Sequence, residues 1–252
     1  MKKIIVFLLF SFLGICMCAE STESDDFSNM LGLGVATITR PYVGVDAETI
    51  PTPIIFWKYE NFIVEGTKVG YIIAQGDHGG SLDVFIAPRF MGYESDDDPF
   101  LNGMRDRDYS LDAGFQVKVN CPYVDDAYFG LSLSTDILSK HDGQEISLFA
   151  AKKFRHKYYM IKPKFGLRWQ SSNMIDYYYG VEGLEARTGR TAYGADATVN
   201  CFFSVDFGVG LSESLRLIGQ CGIEALGNEI QDSPLVDENY ILSFVLGIAK
   251  EF

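Results

Sequence analysis

The thirteen residues from Tyr240 to Phe252 alternate almost without interruption. Tyr240, Leu242, Phe244, Leu246, Ile248 and Phe252 share one face, and Ile241, Ser243, Val245, Gly247, Ala249 and Glu251 share the other. A period of two is the signature of a strand. A strand this long, greasy on one side and ending the chain on an aromatic ring, predicts the closing strand of a transmembrane β-barrel.

The same alternation recurs upstream. Leu111, Ala113, Phe115, Val117 and Val119 oppose Asp112, Gln116, Lys118 and Asn120, and Val199, Cys201, Phe203, Val205 and Phe207 oppose Asn200, Ser204 and Asp206. A soluble sandwich would also alternate. However, these runs reach ~9–14 residues, beyond the ~5–6 usual in globular strands and close to the ~9–11 that a tilted membrane strand needs. The fold class expected is therefore all-β, an antiparallel up-and-down transmembrane barrel. Twelve strands are placed near 30–39, 50–59, 61–66, 68–76, 81–93, 107–120, 124–137, 144–154, 158–170, 195–209, 213–226 and 240–252, with ten as the alternative because the first four are the weakest. The connections 40–49, 94–106, 138–143, 171–194 and 227–239 are mostly long. Those at 77–80, 121–123, 155–157 and 210–212 are short. This asymmetry puts both termini on the periplasmic side.

Ahead of the barrel, Lys2 and Lys3 precede an apolar stretch from Ile4 to Phe12 and a small-residue exit at Cys16–Ala19. Residues 1–19 read as a cleaved export signal. Residues 20–28 form a short acidic periplasmic lead, and 29–252 form the barrel. Removing Lys2 and Lys3 leaves 19 basic side chains against 34 acidic ones, a net charge of −15. That balance argues against nucleic acid as a partner. The expected location is the outer membrane, in contact with its lipid and lipopolysaccharide. Three cysteines remain, Cys121, Cys201 and Cys221, with no metal-binding spacing. They are expected to be small membrane-facing hydrophobes.

Inward parity carries Asp112, Lys118, Asp136, Lys162, Lys164, Arg168, Asp206, Arg216 and Glu224. Because the signs are mixed, these residues suit an interior knit by salt bridges better than a selective pore. Tyr177, Tyr178 and Tyr179, in the longest connection, could stack on a sugar or seat at the membrane rim. The histidines His78, His141 and His156 sit in separate turns and are expected to be solvated. No acid, base and nucleophile converge, so no catalytic residue, cofactor or metal is assigned. The Asp96–Asp98 run lacks the spacing of a calcium loop.

Several segments in fixed order carry a resemblance. Arg40-Pro41-Tyr42-Val43-Gly44 is followed by Pro51-Thr52-Pro53 and Phe56-Trp57-Lys58-Tyr59. Tyr177-Tyr178-Tyr179-Gly180-Val181, Tyr193, Ser233-Pro234-Leu235-Val236 and the terminal Phe252 come after. From about Leu31 to Phe252 the chain resembles the MipA/OmpV family of outer-membrane proteins. The resemblance implies a non-enzymatic scaffold that links a murein-cleaving lytic transglycosylase to a penicillin-binding protein. A small-solute channel or an outward-facing adhesin is the alternative. One difficulty comes with the scaffold: short periplasmic turns offer little area, whereas a stable interface buries ~800 Å² per partner.

Overall fold

The computed structural model describes residues 29–76 and 79–252. The export signal (1–19), the acidic lead (20–28) and His78 lie outside the described residues.

The strands are β1 (Met30–Ile38), β2 (Glu48–Tyr59), β3 (Phe62–Glu65), β4 (Lys68–Gln75), β5 (Ser81–Arg89), β6 (Ser110–Asn120), β7 (Ala127–Asp136), β8 (Gln144–Lys152), β9 (Phe154–Arg155), β10 (Tyr159–Gln170), β11 (Thr198–Gly210), β12 (Leu215–Ala225) and β13 (Tyr240–Glu251). All belong to one antiparallel sheet, and β1 pairs with β13 to close it. Segment β9 is a two-residue continuation of β8, and both pair with β10. The wall therefore holds twelve strands rather than ten. At the seam, a methyl group on Gly32 would collide with the Ile248 backbone, so β1 and β13 close only because glycine stands there.

Several strands end earlier than the alternation suggests. β5 stops at Arg89 instead of 93, and β6 starts at Ser110 instead of 107. Tyr93 and Arg107 then make an isolated bridge within a longer loop. The loops at 171–197 and 226–239 contain short helices, α1 (Ser172–Tyr179) and α2 (Asn228–Gln231).

Proline accounts for where the wall is interrupted, because it has no N–H to give a ladder. The ladder between β10 and β8 lapses opposite Pro163 and resumes at Phe154↔Ile161 in unchanged register. The second interruption is larger. β3 has only four residues, and its hairpin with β4 turns at Gly66, well short of the ends of β2 and β5. β2 pairs with β3 only from Phe56 to Tyr59, and β5 pairs with β4 only up to Ile86. Gly66 donates its N–H to the Ile55 carbonyl, so odd-numbered residues of β2 point their backbone groups toward β3. Pro51 and Pro53 are odd. Ile137 donates to the Leu111 carbonyl, which turns Leu111 toward β7 and leaves its partner Pro88 facing β4. All three prolines thus lack a donor on the side where no strand lies.

The interior has two characters. From β2 to β5 the inward residues are mainly apolar, with Ile50, Ile54, Phe56, Ile63, Ile72 and Phe85, beside the paired charges Glu65, Lys68, Asp83 and Arg89. From β6 to β12 the inward rows are largely polar and charged. The outer surface is apolar, with Leu33, Val69, Ile86, Phe129, Leu148, Phe165, Phe203 and Phe244 exposed, as membrane contact requires.

Candidate functional site

The charged half of the lumen forms a belt of ion pairs. Arg89 reaches Asp112 at 2.5 Å and Glu145 at 3.0 Å. Glu145 in turn meets Arg168 at 3.3 Å, and Arg168 pairs with Glu224. Asn200 donates to Glu224 at 2.7 Å and to Gln170 at 3.2 Å, which extends the belt across β11. Two positive and three negative side chains from five strands are therefore joined at one level. Closer to the short-turn end, Lys162 pairs with Asp206 at 2.8 Å, and Gln220 donates to the same carboxylate at 2.6 Å. Lys118 lies 3.8 Å from Asp83 and 4.0 Å from Glu65. Arg216 meets Glu251 at 2.5 Å. Lys164 instead sits over the rings of Phe149 and Phe202, at 5.7 and 5.8 Å from their centroids.

Asp136 is placed differently from the other inward charges. It sits at the rim and folds the 137–143 turn around itself. One oxygen accepts the backbone N–H groups of Lys140, His141 and Asp142, and the other accepts those of Leu138 and the Ser110 hydroxyl. This changes the expectation for His141. Rather than being solvated, its side chain is fully buried against Tyr178, with ring centroids 5.6 Å apart. Nδ1 accepts the Gly143 N–H at 3.0 Å, so the neutral ring carries its proton on Nε2. Nε2 lies 3.8 Å from Asp112. Asp112, Asp136 and His141 could be read as a metal triad. A cation on Nε2 would need both ring nitrogens stripped of hydrogen, and Asp136 is already occupied by backbone donors. His156, at the opposite end of the barrel, is exposed and stacks on Tyr159.

Above the belt, the loops 39–47, 90–109, 171–197 and 226–239 converge on one apolar cluster. It contains Tyr42, Tyr93, Leu101, Met104, Met174, Ile175, Tyr178, Tyr179, Leu226, Ile230 and Leu235, all buried. Tyr178 and Tyr179 have essentially no exposed surface, so neither ring is available for stacking on a ligand. Tyr42 stacks on Tyr179 at 5.4 Å and meets Tyr93 edge-on at 4.7 Å. Burial pushes the Tyr93 hydroxyl up to about 12, against the opposing pull of the Arg107 guanidinium. Among the three consecutive tyrosines, Tyr177 alone faces a cleft. This cleft, of about 590 Å³, is also lined by Arg105, Lys140, Asp142, Glu182 and Tyr193.

Two buried arginines hold these loops together, and neither was visible as a site in the sequence. Arg190, 1% exposed, donates to the carbonyls of Phe100, Asn102 and Glu185. Arg107 pairs with Glu185 at 3.1 Å. Burial disfavours the Glu185 charge, but the backbone donors of Arg105 and Glu182 and the Arg107 guanidinium outweigh it and hold the carboxyl below its usual value. The acidic run is folded inward on itself: Asp97 accepts from Arg40 and from the Glu94 N–H, and Asp98 accepts from the Phe100 N–H. Cys201 and Cys221 are exposed on the outer wall, as expected of membrane-facing residues, but Cys121 lies just past the end of β6 in a turn.

Comparison with known proteins places this architecture. The MltA-interacting protein of Escherichia coli strain K12 is 24% identical over 224 residues, 88% of this chain and 89% of that protein. The putative outer membrane protein YiaT of the same strain is 26% identical over 227 residues, 88% of this chain and 90% of that protein. The outer membrane protein OmpV of Vibrio cholerae matches 62% of this chain and 60% of its own length at 23% identity. Residues 31–252 match the family described as MltA-interacting protein MipA. An outer-membrane β-barrel whose family match runs from the first wall strand to the last residue, this chain belongs to the MipA family.

Proposed function

We propose that the protein is a closed, non-enzymatic barrel that anchors a lytic transglycosylase at the inner face of the outer membrane. The observation that carries this reading is the four-loop apolar cluster seated above the cross-lumen ion-pair belt. A wide solute path would need both of these layers breached. The E. coli relative is named for an interaction with MltA, which supports this choice of partner. A penicillin-binding protein would join the assembly as the resemblance implies. The long-loop end faces outward, in accord with the general asymmetry of bacterial barrels.

The contact surface follows from the short-turn end. Tyr123 is 93% exposed at the tip of a turn, and Leu211, Tyr158 and Phe252 are exposed nearby along the rim. Rings at such a rim also anchor in the membrane interface. Tyr123 and Leu211 stand in turns beyond the strands, where a soluble partner reaches them. A non-enzymatic role agrees with the engagement of His141 by Gly143 and with the distance of His156 from it across the barrel. Refolded protein in detergent should bind the lytic transglycosylase in a sedimentation assay. Tyr123→Ser combined with Leu211→Ser should weaken binding at least tenfold. Unchanged binding would remove this face from the account.

A further inference from the structure

The short β3–β4 hairpin leaves a window in the barrel wall. Its sides are β2 from Thr49 to Ile55 and β5 from Ala87 to Arg89, none of which has a wall partner there apart from the Gly66 N–H on Ile55. Its lower edge is the Gly66 turn, where nothing approaches the position a Cβ would take. Its roof is Tyr109, which donates to Glu48, itself paired with Arg40. Three strand spacings separate β2 from β5, roughly 14 Å at the usual ~4.8 Å each.

An open edge inside a membrane is normally costly, because nothing in lipid satisfies backbone groups. Two occupants could fill it. A strand, from a partner or a second copy, would need donors along the edge. Pro51, Pro53 and Pro88 remove those donors at alternate positions on both sides of the window. The edge is therefore built against pairing. The remaining occupant is an apolar chain, and three features suit it. The outer surface beside the window, with Val69, Val84 and Ile86 exposed, is membrane-facing. The inward surface behind it carries Ile50, Ile54, Ile63 and Phe85, and the charges that border it are paired, Glu65 with Lys68 at 3.1 Å and Arg89 with Asp112. The two surfaces meet at the window, while the charged belt starts at Arg89 at the top of its β5 side and runs away from it through Asp112, Glu145, Arg168 and Glu224.

We propose that this window is a lateral portal through which one acyl chain of a membrane lipid enters the apolar half of the lumen. The portal does not rest on the scaffold reading, since it concerns the wall and not the short-turn end.

Lipids brominated along their chains quench tryptophan on contact, and this tests the portal. Trp57→Phe and Trp169→Phe clear the background, and a single reporter is then introduced as Ile50→Trp (inward, behind the window), Ser132→Trp (inward, behind intact wall) or Leu33→Trp (outward). Each variant is refolded into vesicles of chain-brominated phosphatidylcholine, with heat-modifiable migration confirming the fold. The portal predicts quenching at position 50 of at least half that at position 33, and little at 132. Adding Ala87→Phe, which fills the window from the inner side, should reduce quenching at 50 at least twofold. Equal, low quenching at 50 and 132 would overturn the proposal. Strong quenching at 50 that Ala87→Phe leaves unchanged would overturn the window as the route.

Discussion

Arg107 and Glu185, 78 residues apart in the chain, form a two-point ion pair at 3.1 and 3.2 Å with both side chains almost wholly shielded from water. The pair ties the 90–109 loop to the 171–197 loop. Breaking a buried pair by removing one partner costs about 3–5 kcal/mol, mostly because the other charge is left stranded. Glu185→Ala should therefore loosen both loops without disturbing the wall. Limited proteolysis should cut within 90–109 in the variant and not in the parent, while heat-modifiable migration stays the same.

The pH dependence of this cap has a definite sign. The Glu185 carboxyl is held below its usual value in the folded cap. A depressed carboxylate contributes stability that is present above the unfolded value, about 4.3, and is lost as pH falls through the folded one. The loops should be protected at pH 6 and lose that protection progressively as pH falls below the unfolded value, about 4.3. Amide exchange of residues 90–109 at pH 6 and pH 3.5 checks this, and Glu185→Gln should abolish most of the difference.

The belt should behave as a unit. Arg89 and Arg168 share Glu145, so removing either strands part of the same carboxylate set. Arg89→Ala and Arg168→Ala should each lower the unfolding temperature. Their combination should depart from the sum by 0.5–3 kcal/mol, the range for residues in one network. Additive effects would mean that the two arginines act separately.

His141 makes a different prediction. Its Nδ1 is the acceptor for a buried backbone N–H. His141→Ala leaves the Gly143 N–H without a partner at a cost of about 1–3 kcal/mol. The 137–143 turn should exchange faster, with the rest of the barrel unaffected. Asn, whose carbonyl can reach a nearby N–H, should restore part of the protection.

Pro163 offers a test in the wall. Pro163→Ala supplies the N–H missing opposite Lys152 and should heal the break between β8 and β9. A gain of about 0.5–1.5 kcal/mol is expected, the net worth of one hydrogen bond. Slow exchange of the new amide at position 163 would report it directly.

These results show which parts of the molecule period-two patterning encodes. The alternation of β10 to β13 is local, so the two faces of each of these strands are legible directly from the sequence. What the inward charges meet is not. Glu145 and Arg168 become partners only when β8 and β10 pair in register, and Arg89 reaches Glu145 across two intervening strands. The loops carry no period at all. Nothing marks Arg190 or Tyr178 as buried until four distant segments pack together. Asp136 and His141 differ from expectation for a third reason: a short polar turn can fold around one carboxylate and bury a ring that its neighbours suggest is wet. Pro51 and Pro53 enter the sequence only as motif members, and their meaning as missing donors needs the register of β2 on both sides.

Single-channel conductance of refolded protein in a planar bilayer tests the central claim most directly. A barrel closed by the loop cluster and the ion-pair belt should be silent under an applied voltage, while Glu185→Ala and Arg89→Ala together should produce intermittent steps. Stable, reproducible open steps from the unaltered protein would contradict the closed-scaffold account and make it a channel.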